Sequence, residues 1–203
     1  TPEYSSAASD VYKRQPFKGL SGTGVAYKLL EALDYQLSLD GFWERTGKVR
    51  ADLHEELDLV AFATISDSMP MTDENHFLVQ KGLEQLNPCR GPGFQALLRV
   101  CGVRGRVTPT EISFKLAPKI NAAGRVDDPN LGVKLLLSQS LTEARPYADK
   151  MFSLNQQRQK IEARVFSDAF AMARQQINQK ALILVDQQWH PGVMGNIASR
   201  ISR

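Results

Sequence analysis

The stretch from position 121 to 128 holds side chains that are suited to binding an anion. Asn121 offers an amide, and Arg125 offers a planar guanidinium whose donors match a phosphate group. Gly124 follows two alanines, and such small residues allow the backbone to approach a ligand closely. Two aspartates end the stretch. It is therefore either a phosphate-binding turn, or a polar turn in which Arg125 pairs with one of the two acids.

Asp67 is the candidate ligand for a metal ion. It follows the apolar run Leu57–Ile65 and precedes Pro70. A carboxylate at the end of an apolar element is well placed to bind a hard cation such as Mg²⁺ or Mn²⁺. The alternative is an ordinary aspartate in a turn at the end of that element. The run itself predicts a helix or a buried strand, because periodicity alone does not separate the two.

His190 is a candidate phosphate-binding residue near the carboxyl end of the chain. It follows the apolar run Ala181–Val185, which predicts a buried strand, and Pro191 is typical of the first position of a helix. A phosphate could meet the helix N-terminal N–H groups near Gly192, with the imidazole beside it. Alternatively, His190 is a structural residue that caps the helix.

Charge is unevenly distributed along the chain. Residues 51–75 carry seven acids and no Lys or Arg, whereas residues 90–125 carry seven bases and one acid, so the net charges are −7 and +6. The two regions are either two solvated faces, or an acidic metal-binding region next to a basic region that follows phosphates. Lys119 belongs to the basic region and is a further candidate for phosphate binding.

The composition is typical of a soluble globular protein. The 203 residues are 42% hydrophobic and 23% charged, and no apolar run approaches the ~18 residues of a membrane span. Cys89 and Cys101 lack the spacing of metal ligands, which favours reduced thiols and a cytoplasmic protein. The net charge of +3 is too small to indicate nucleic-acid binding by itself.

One long helix is predicted in the second half of the chain. Ser140–Glu143 has the form of a capping box, and an apolar stripe with helical spacing continues to about Asn178. Such a helix would be roughly 55 Å long at ~1.5 Å per residue. Its length indicates a connector between two domains. Pro146 is tolerated because it lies in the first turns.

Two shorter segments have start signals for helices. Thr108–Glu111 is a second capping box with Pro109 at the first helical position, and it predicts a short helix that leads into the turn at Asn121–Arg125. Gly19–Gly24 precedes another helical pattern. Its glycines could cradle a phosphate or allow close packing, and packing is favoured.

The first residues do not look natural. Residues 5–15 match the translation of a sequencing adapter, so residues 1–15 are interpreted as a disordered, non-native segment and are excluded from the fold. The helical pattern is also interrupted at Arg203. Residues 16–203 are therefore interpreted as an internal piece of a longer protein.

The ordered motifs resemble the RecJ family of single-strand-specific 5′→3′ DNA exonucleases in the DHH phosphoesterase superfamily. The resemblance covers nearly all of residues 16–203 and depends on the joint order of co-linear matches at Leu20–Lys28, Asp58–Pro70, Asn75, Gly82–Leu83, Ile120–Asp128, Leu154–Glu162 and Trp189–Arg200. It implies an α/β fold with three parts. Residues 16–139 would be the mainly helical C-terminal part of a DHH catalytic domain, residues 140–178 the connector helix, and residues 179–203 the first strand–helix unit of a DHHA1-type domain.

The resemblance also implies roles for single residues. Asp67 matches a metal-binding aspartate of a site for two Mn²⁺ or Mg²⁺ ions. Asn121, Gly124 and Arg125 match a motif beside the catalytic cleft, whereas His190 and Gly192 match the opening of the DHHA1-type domain. The aspartates after Arg125 are expected to orient the turn or the arginine.

Two departures from the family pattern limit these expectations. His76 stands where the family usually has arginine. The D-x-D and D-H-H motifs would lie upstream of residue 16, so the chain alone is expected to be inactive.

The resemblance implies single-stranded DNA as the substrate and a monomer, with a single-strand-binding protein and a helicase as further partners. Two other functions remain open. They are an oligoribonuclease or cyclic-dinucleotide phosphodiesterase of the same superfamily, and a non-catalytic nucleic-acid-binding relative.

Overall fold

The computed structural model describes residues 17–87 and 91–202, so the predictions for residues 1–15 and for Cys89 lie outside the described residues. The described residues form two compact units. Unit 1 comprises residues 17–87 and 105–114, and unit 2 comprises residues 91–104 and 115–202.

The helices in chain order are α1 (Gly22–Leu39), α2 (Phe42–Thr46), α3 (Leu57–Ser66), α4 (Asp73–Leu86), α5 (Pro92–Val100), α6 (Pro109–Glu111), α7 (Ala117–Val126), α8 (Asn130–Leu137), α9 (Leu141–Gln175) and α10 (Pro191–Ile201). A 3₁₀ turn at Leu53–Glu56 precedes α3, and a π-helical turn at Ile112–Leu116 precedes α7.

Unit 1 is built around the packing of α3 against α4. The apolar run Leu57–Ile65 lies within the helix α3. Six of the ten residues of α3 are buried, because α3 packs against α1 and α4. Gly82 allows α4 to approach closely, since a Cβ at this position would lie less than 3.0 Å from the Leu57 carbonyl oxygen. The core contains Leu57, Val60, Leu78 and Tyr27 of α1.

The serine of the glycine-rich segment caps α1, whereas the glycines do not bring another helix close: a Cβ on Gly22 would meet nothing within 4 Å, and one on Gly24 would meet only Leu20 and Ser21. The Ser21 hydroxyl accepts a hydrogen bond from the Gly24 N–H at 3.1 Å, which satisfies a free donor of the first turn. The same hydroxyl lies 3.2 Å from the Thr64 hydroxyl of α3. Both Ser21 and Gly24 are buried.

Unit 2 is organised by the 35-residue helix α9, which contacts α5, α7, α8 and α10. The predicted long amphipathic helix is confirmed, although it ends at Gln175, three residues before the predicted end. The Ser140 hydroxyl caps it by accepting from the Glu143 N–H at 3.2 Å. The Glu143 carboxylate accepts from the Gln139 N–H, one residue earlier than a standard capping box.

The predicted strand at Ala181–Val185 is absent. In the described part of the chain there is no β-strand, so the expected α/β fold is not observed there. The segment is largely exposed, with Ile183 74% exposed. A strand needs a neighbouring strand whose backbone bonds to its own. Here a side chain takes that place: the Gln176 amide accepts from the Ile183 N–H at 3.3 Å and donates to the Ile183 carbonyl at 3.1 Å.

Within the described ranges no helix is both long and apolar enough to cross a bilayer.

Candidate nucleic-acid and metal site

Asp67 lies in unit 1 at the end of α3. Its N–H donates to the Ala63 carbonyl at 2.9 Å and closes the last turn of the helix. The Asp67 side chain is exposed. Ser68 follows with φ 55°, a left-handed conformation that turns the chain away from the helix axis. A solvent-facing carboxylate fits one ligand position of a hard cation. Across residues 17–87 and 91–202 there is no group of three or more His, Cys, Asp or Glu that could hold a metal ion.

Asn121, Gly124 and Arg125 lie in unit 2 on α7, and the predicted turn at these residues is wrong. The helix continues to Val126 because Ala122 and Ala123 are buried and favour helix, so the chain turns only at the following aspartate. The helix nevertheless gathers the three predicted residues. Positions i, i+3 and i+4 share one face, and all three residues are exposed.

Lys119 belongs to another side of α7. Two residues along a helix correspond to a rotation of roughly 200°, so Lys119 faces away from Asn121. It is half-buried, and its charge acts on Cys101. Burial raises the pKa of the Cys101 thiol, and the positive charges of Lys119 and Lys115 oppose that shift. The structure thus separates Lys119 from the face that holds Asn121 and Arg125.

A close junction joins the end of α7 to the start of α10. Arg125 Nη1 donates to the Gly192 carbonyl at 3.2 Å. The Gly192 N–H in turn donates to His190 Nδ1 at 3.1 Å, so His190 caps α10. A Cβ on Gly192 would lie less than 3.0 Å from the Arg125 carbonyl oxygen. Arg125, His190 and Gly192 therefore come together, and Arg125 keeps four further N–H donors for a ligand.

The two aspartates after α7 orient the turn and do not pair with Arg125 in the structure. Lys150 Nζ contacts the Asp127 carboxylate at 2.8 Å, and this contact lowers the pKa of Asp127. Asp128 accepts from the Asn130 N–H at 2.9 Å, which lowers the pKa of Asp128. Asp128 therefore holds the start of α8 in place, whereas Asp127 ties the turn to Lys150 on α9.

Comparison with known proteins shows which proteins the chain resembles. It is 38% identical over 194 residues to the single-stranded-DNA-specific exonuclease RecJ of Dickeya dadantii, and the match covers 92% of this chain and 34% of that protein. It is 34% identical over 207 residues to RecJ of Bacillus subtilis, covering 98% of this chain and 24% of that protein. The chain is similar to RecJ along nearly all of its own length. It spans about one third or less of the length of these curated relatives.

The fold agrees with solved RecJ structures. RecJ of Thermus thermophilus in complex with Mn²⁺ superimposes with a TM-score of 0.75 at 34% identity, covering 93% of this chain and 26% of that one. The Mg²⁺ complex from the same organism gives a TM-score of 0.76 at 33% identity, covering 95% and 29%. No protein-family model matches the chain.

Two polar networks in this chain were missed from the sequence. The buried Asn75 amide donates to the Gly19 carbonyl at 2.6 Å and the Pro70 carbonyl at 2.8 Å. Its partner lies 56 residues away, and nothing local in the sequence indicates the pairing. On α9, Arg158 Nη1 contacts the Glu162 carboxylate at 2.7 Å, and Asn196 Nδ2 donates to the same carboxylate at 2.9 Å. The i, i+4 spacing of Arg158 and Glu162 could have indicated this pair.

Proposed function

We propose that this chain is part of a divalent-metal-dependent exonuclease that hydrolyses single-stranded DNA from the 5′ end. The observation that carries the proposal is the continuous similarity to RecJ along 92% of the chain, at 38% identity. It extends through the segments that hold Asp67, Asn121–Arg125 and His190. The fold of the Mn²⁺ complex of RecJ, with its TM-score of 0.75, supports the same assignment.

We assign distinct roles to the candidate residues. Asp67 would supply one carboxylate ligand for Mn²⁺ or Mg²⁺, because it is exposed at a helix end and its oxygens suit hard cations. Bound ions of this kind polarise a water molecule and stabilise the oxygens of a phosphodiester. Asn121, Gly124 and Arg125 would bind a backbone phosphate from one helix face. His190 and Gly192 would hold the Arg125 guanidinium in position.

We further propose that residues 16–139 belong to a DHH catalytic domain, residues 140–178 to a connector, and residues 179–203 to the beginning of a DHHA1-type α/β domain. Lys119 remains a candidate contact for DNA outside the Asn121 face. A cytoplasmic monomer that works with a single-strand-binding protein and a helicase is the setting we propose for the whole enzyme.

A chimera tests the proposed function. The corresponding segment of Escherichia coli RecJ, which is 36% identical over 194 residues, is replaced by residues 16–203 of this chain. We expect Mn²⁺-dependent digestion of single-stranded DNA and little digestion of duplex. Asp67→Ala should reduce digestion to background while DNA binding is retained, because only a metal ligand is lost.

Glu74→Gln is the matched control, since Glu74 is another exposed acid of unit 1 and pairs with the half-buried Lys28 at 3.4 Å. It should digest like the unsubstituted chimera. If the folded Asp67→Ala chimera digests DNA at the unsubstituted rate, the assignment of Asp67 is wrong. If a folded chimera binds single strands but never cleaves them, the enzymatic proposal fails.

A further inference from the structure

The C-terminal half of α9 and the end of α10 carry, in unit 2, a row of two stacked aromatic rings with a guanidinium group at each end. The rings of Phe166 and Phe170 are stacked, with centroids 5.7 Å apart and an interplanar angle of 22°. The Arg200 guanidinium lies 3.9 Å from the centre of the Phe166 ring, and that of Arg174 lies 5.6 Å from the centre of the Phe170 ring. We call these four residues the Arg–Phe row.

The row itself contains no acid. Glu162 lies one turn before Phe166 on the same face, and its carboxylate is already bound by Arg158 and Asn196. Phe166, Phe170 and Arg174 are spaced by four residues, so they follow one another along a single face. The nearest acid in sequence is Asp168, and two residues correspond to roughly 200° around the helix, which directs it to the opposite side. The surrounding segment is basic as a whole, since residues 158–202 carry six Lys and Arg against three acids.

The row is accessible. Phe170 is 46% exposed, and both arginines are exposed. Phe166 is half-buried against the core cluster of Val165, Ala169 and Val193. Phe166 therefore anchors the row and covers one face of Phe170. The other face of Phe170 is overlain by the exposed Arg174 side chain at 5.6 Å, so a base reaches this face when that side chain swings aside.

We propose that the Arg–Phe row binds single-stranded nucleic acid, with a base stacked on Phe170 and the flanking phosphates paired with Arg174 and Arg200. Every base has a flat face that can stack on an aromatic ring, and a basic surface follows the backbone of a single strand. An exposed phenylalanine beside two guanidinium groups provides both requirements at once. A duplex hides its base faces inside the stack, so this row selects single strands.

The site deepens the proposed function and rests on it for the choice of DNA as the nucleic acid. It contains no metal-binding group, so it acts on binding and not on cleavage. In the proposed enzyme it is a secondary contact for the strand, distinct from Asn121 and Arg125.

Binding of fluorescent oligothymidylate to the 203-residue chain, followed by anisotropy in EDTA, tests the site. Phe170→Ala should weaken binding at least about fivefold, the lower limit for loss of one stacked base, and Phe170→Trp should bind at least as tightly as the parent. An abasic oligonucleotide of equal length should bind the parent and Phe170→Ala equally, because it has no base to stack. Arg174→Gln together with Arg200→Gln should reduce the dependence of affinity on salt.

Phe152→Ala is the control, since Phe152 lies on the same helix and is 36% exposed, but outside the row. It should leave affinity unchanged, and thermal unfolding should report that each variant is folded. Equal affinity of parent and Phe170→Ala for oligothymidylate overturns the proposal, as does a loss that is equally large on the abasic strand. A change of sedimentation without a change of DNA affinity also overturns it, and identifies the row as a protein contact. The proposed function is judged separately by digestion in the chimera, which Phe170→Ala does not abolish.

Discussion

Two glycines of α10, three residues apart, are expected to respond to alanine with opposite signs. At Gly192 an added Cβ would lie less than 3.0 Å from the Arg125 carbonyl oxygen and 3.1 Å from both the Arg125 carbonyl carbon and His190 Nδ1. Since these neighbours are mostly backbone, they cannot rotate away. At Gly195 nothing lies within 4 Å of an added Cβ. The two positions therefore differ in packing while sharing the same helix.

Gly192→Ala should lower the free energy of unfolding of unit 2 by about 1–3 kcal/mol, the usual cost of overpacking. Gly195→Ala should raise it by roughly 0.5–1 kcal/mol, because alanine loses less backbone entropy than glycine in a helix. For a unit of about 100 residues, ~1 kcal/mol corresponds to a shift of about 4–8 °C in Tm. The two variants should thus melt on opposite sides of the parent.

Tryptophan fluorescence can follow unit 2 alone. Trp43→Phe removes the tryptophan of unit 1, and Trp189 then reports from the segment directly before α10. The variants are compared in this background by urea and thermal unfolding. If Gly192→Ala is as stable as Gly195→Ala, the close approach of α7 and α10 is wrong, and so is the positioning of Arg125 that depends on it.

Two further predictions concern ionic groups. Arg158→Met should lower the free energy of unfolding by about 2–4 kcal/mol in the same fluorescence assay. The side chains of Arg158 and Glu162 are only 13% and 15% exposed, so the substitution leaves a largely buried carboxylate without its charged partner. The control Arg145→Met removes an equally spaced but exposed pair with Asp149 and should cost less than about 0.5 kcal/mol; equal losses would contradict the role of burial. Burial raises the pKa of Asp58 above its ordinary value of 3.8. The folded protein therefore favours the protonated carboxyl, and this contribution to stability is present at low pH and is lost as the pH rises and the carboxyl ionises. Asp58→Asn should therefore be more stable than the parent at pH 7, with a difference that vanishes towards pH 3 in urea titrations, and a difference independent of pH would disprove this.

Local signals were readable from the sequence, and long-range contacts were not. The Thr108–Glu111 capping box is confirmed with both of its hydrogen bonds, because the partners are three residues apart. The long helix was also predicted, since its apolar stripe repeats over many turns. By contrast, the bond from Arg125 to the Gly192 carbonyl joins positions 67 residues apart. Only the three-dimensional fold brings these two residues together.

The errors have physical reasons as well. The segment Ala181–Val185 has the composition of a strand, but composition does not supply the neighbouring strand that its backbone needs. At Asn121–Arg125 the glycine and the polar side chains suggested a turn. The two alanines beside them are buried against the core, and this packing keeps the helix intact. Of the predicted site residues, the fold gathers Asn121, Gly124 and Arg125 on one face and leaves Lys119 on another.

The buried amide of Asn75 has a consequence for the order in which unit 1 folds. It bonds the Gly19 carbonyl across 56 residues, and the Ser21 hydroxyl meets Thr64 across 43. Closing such long loops is slow compared with forming the neighbouring helices α3 and α4. The start of α1 can therefore become ordered only after α3 and α4 have paired. Amide protons at residues 22–25 should accordingly gain protection later during refolding than those within α3, because the long-range contacts that anchor Gly19 and Ser21 do not exist until that pair has formed.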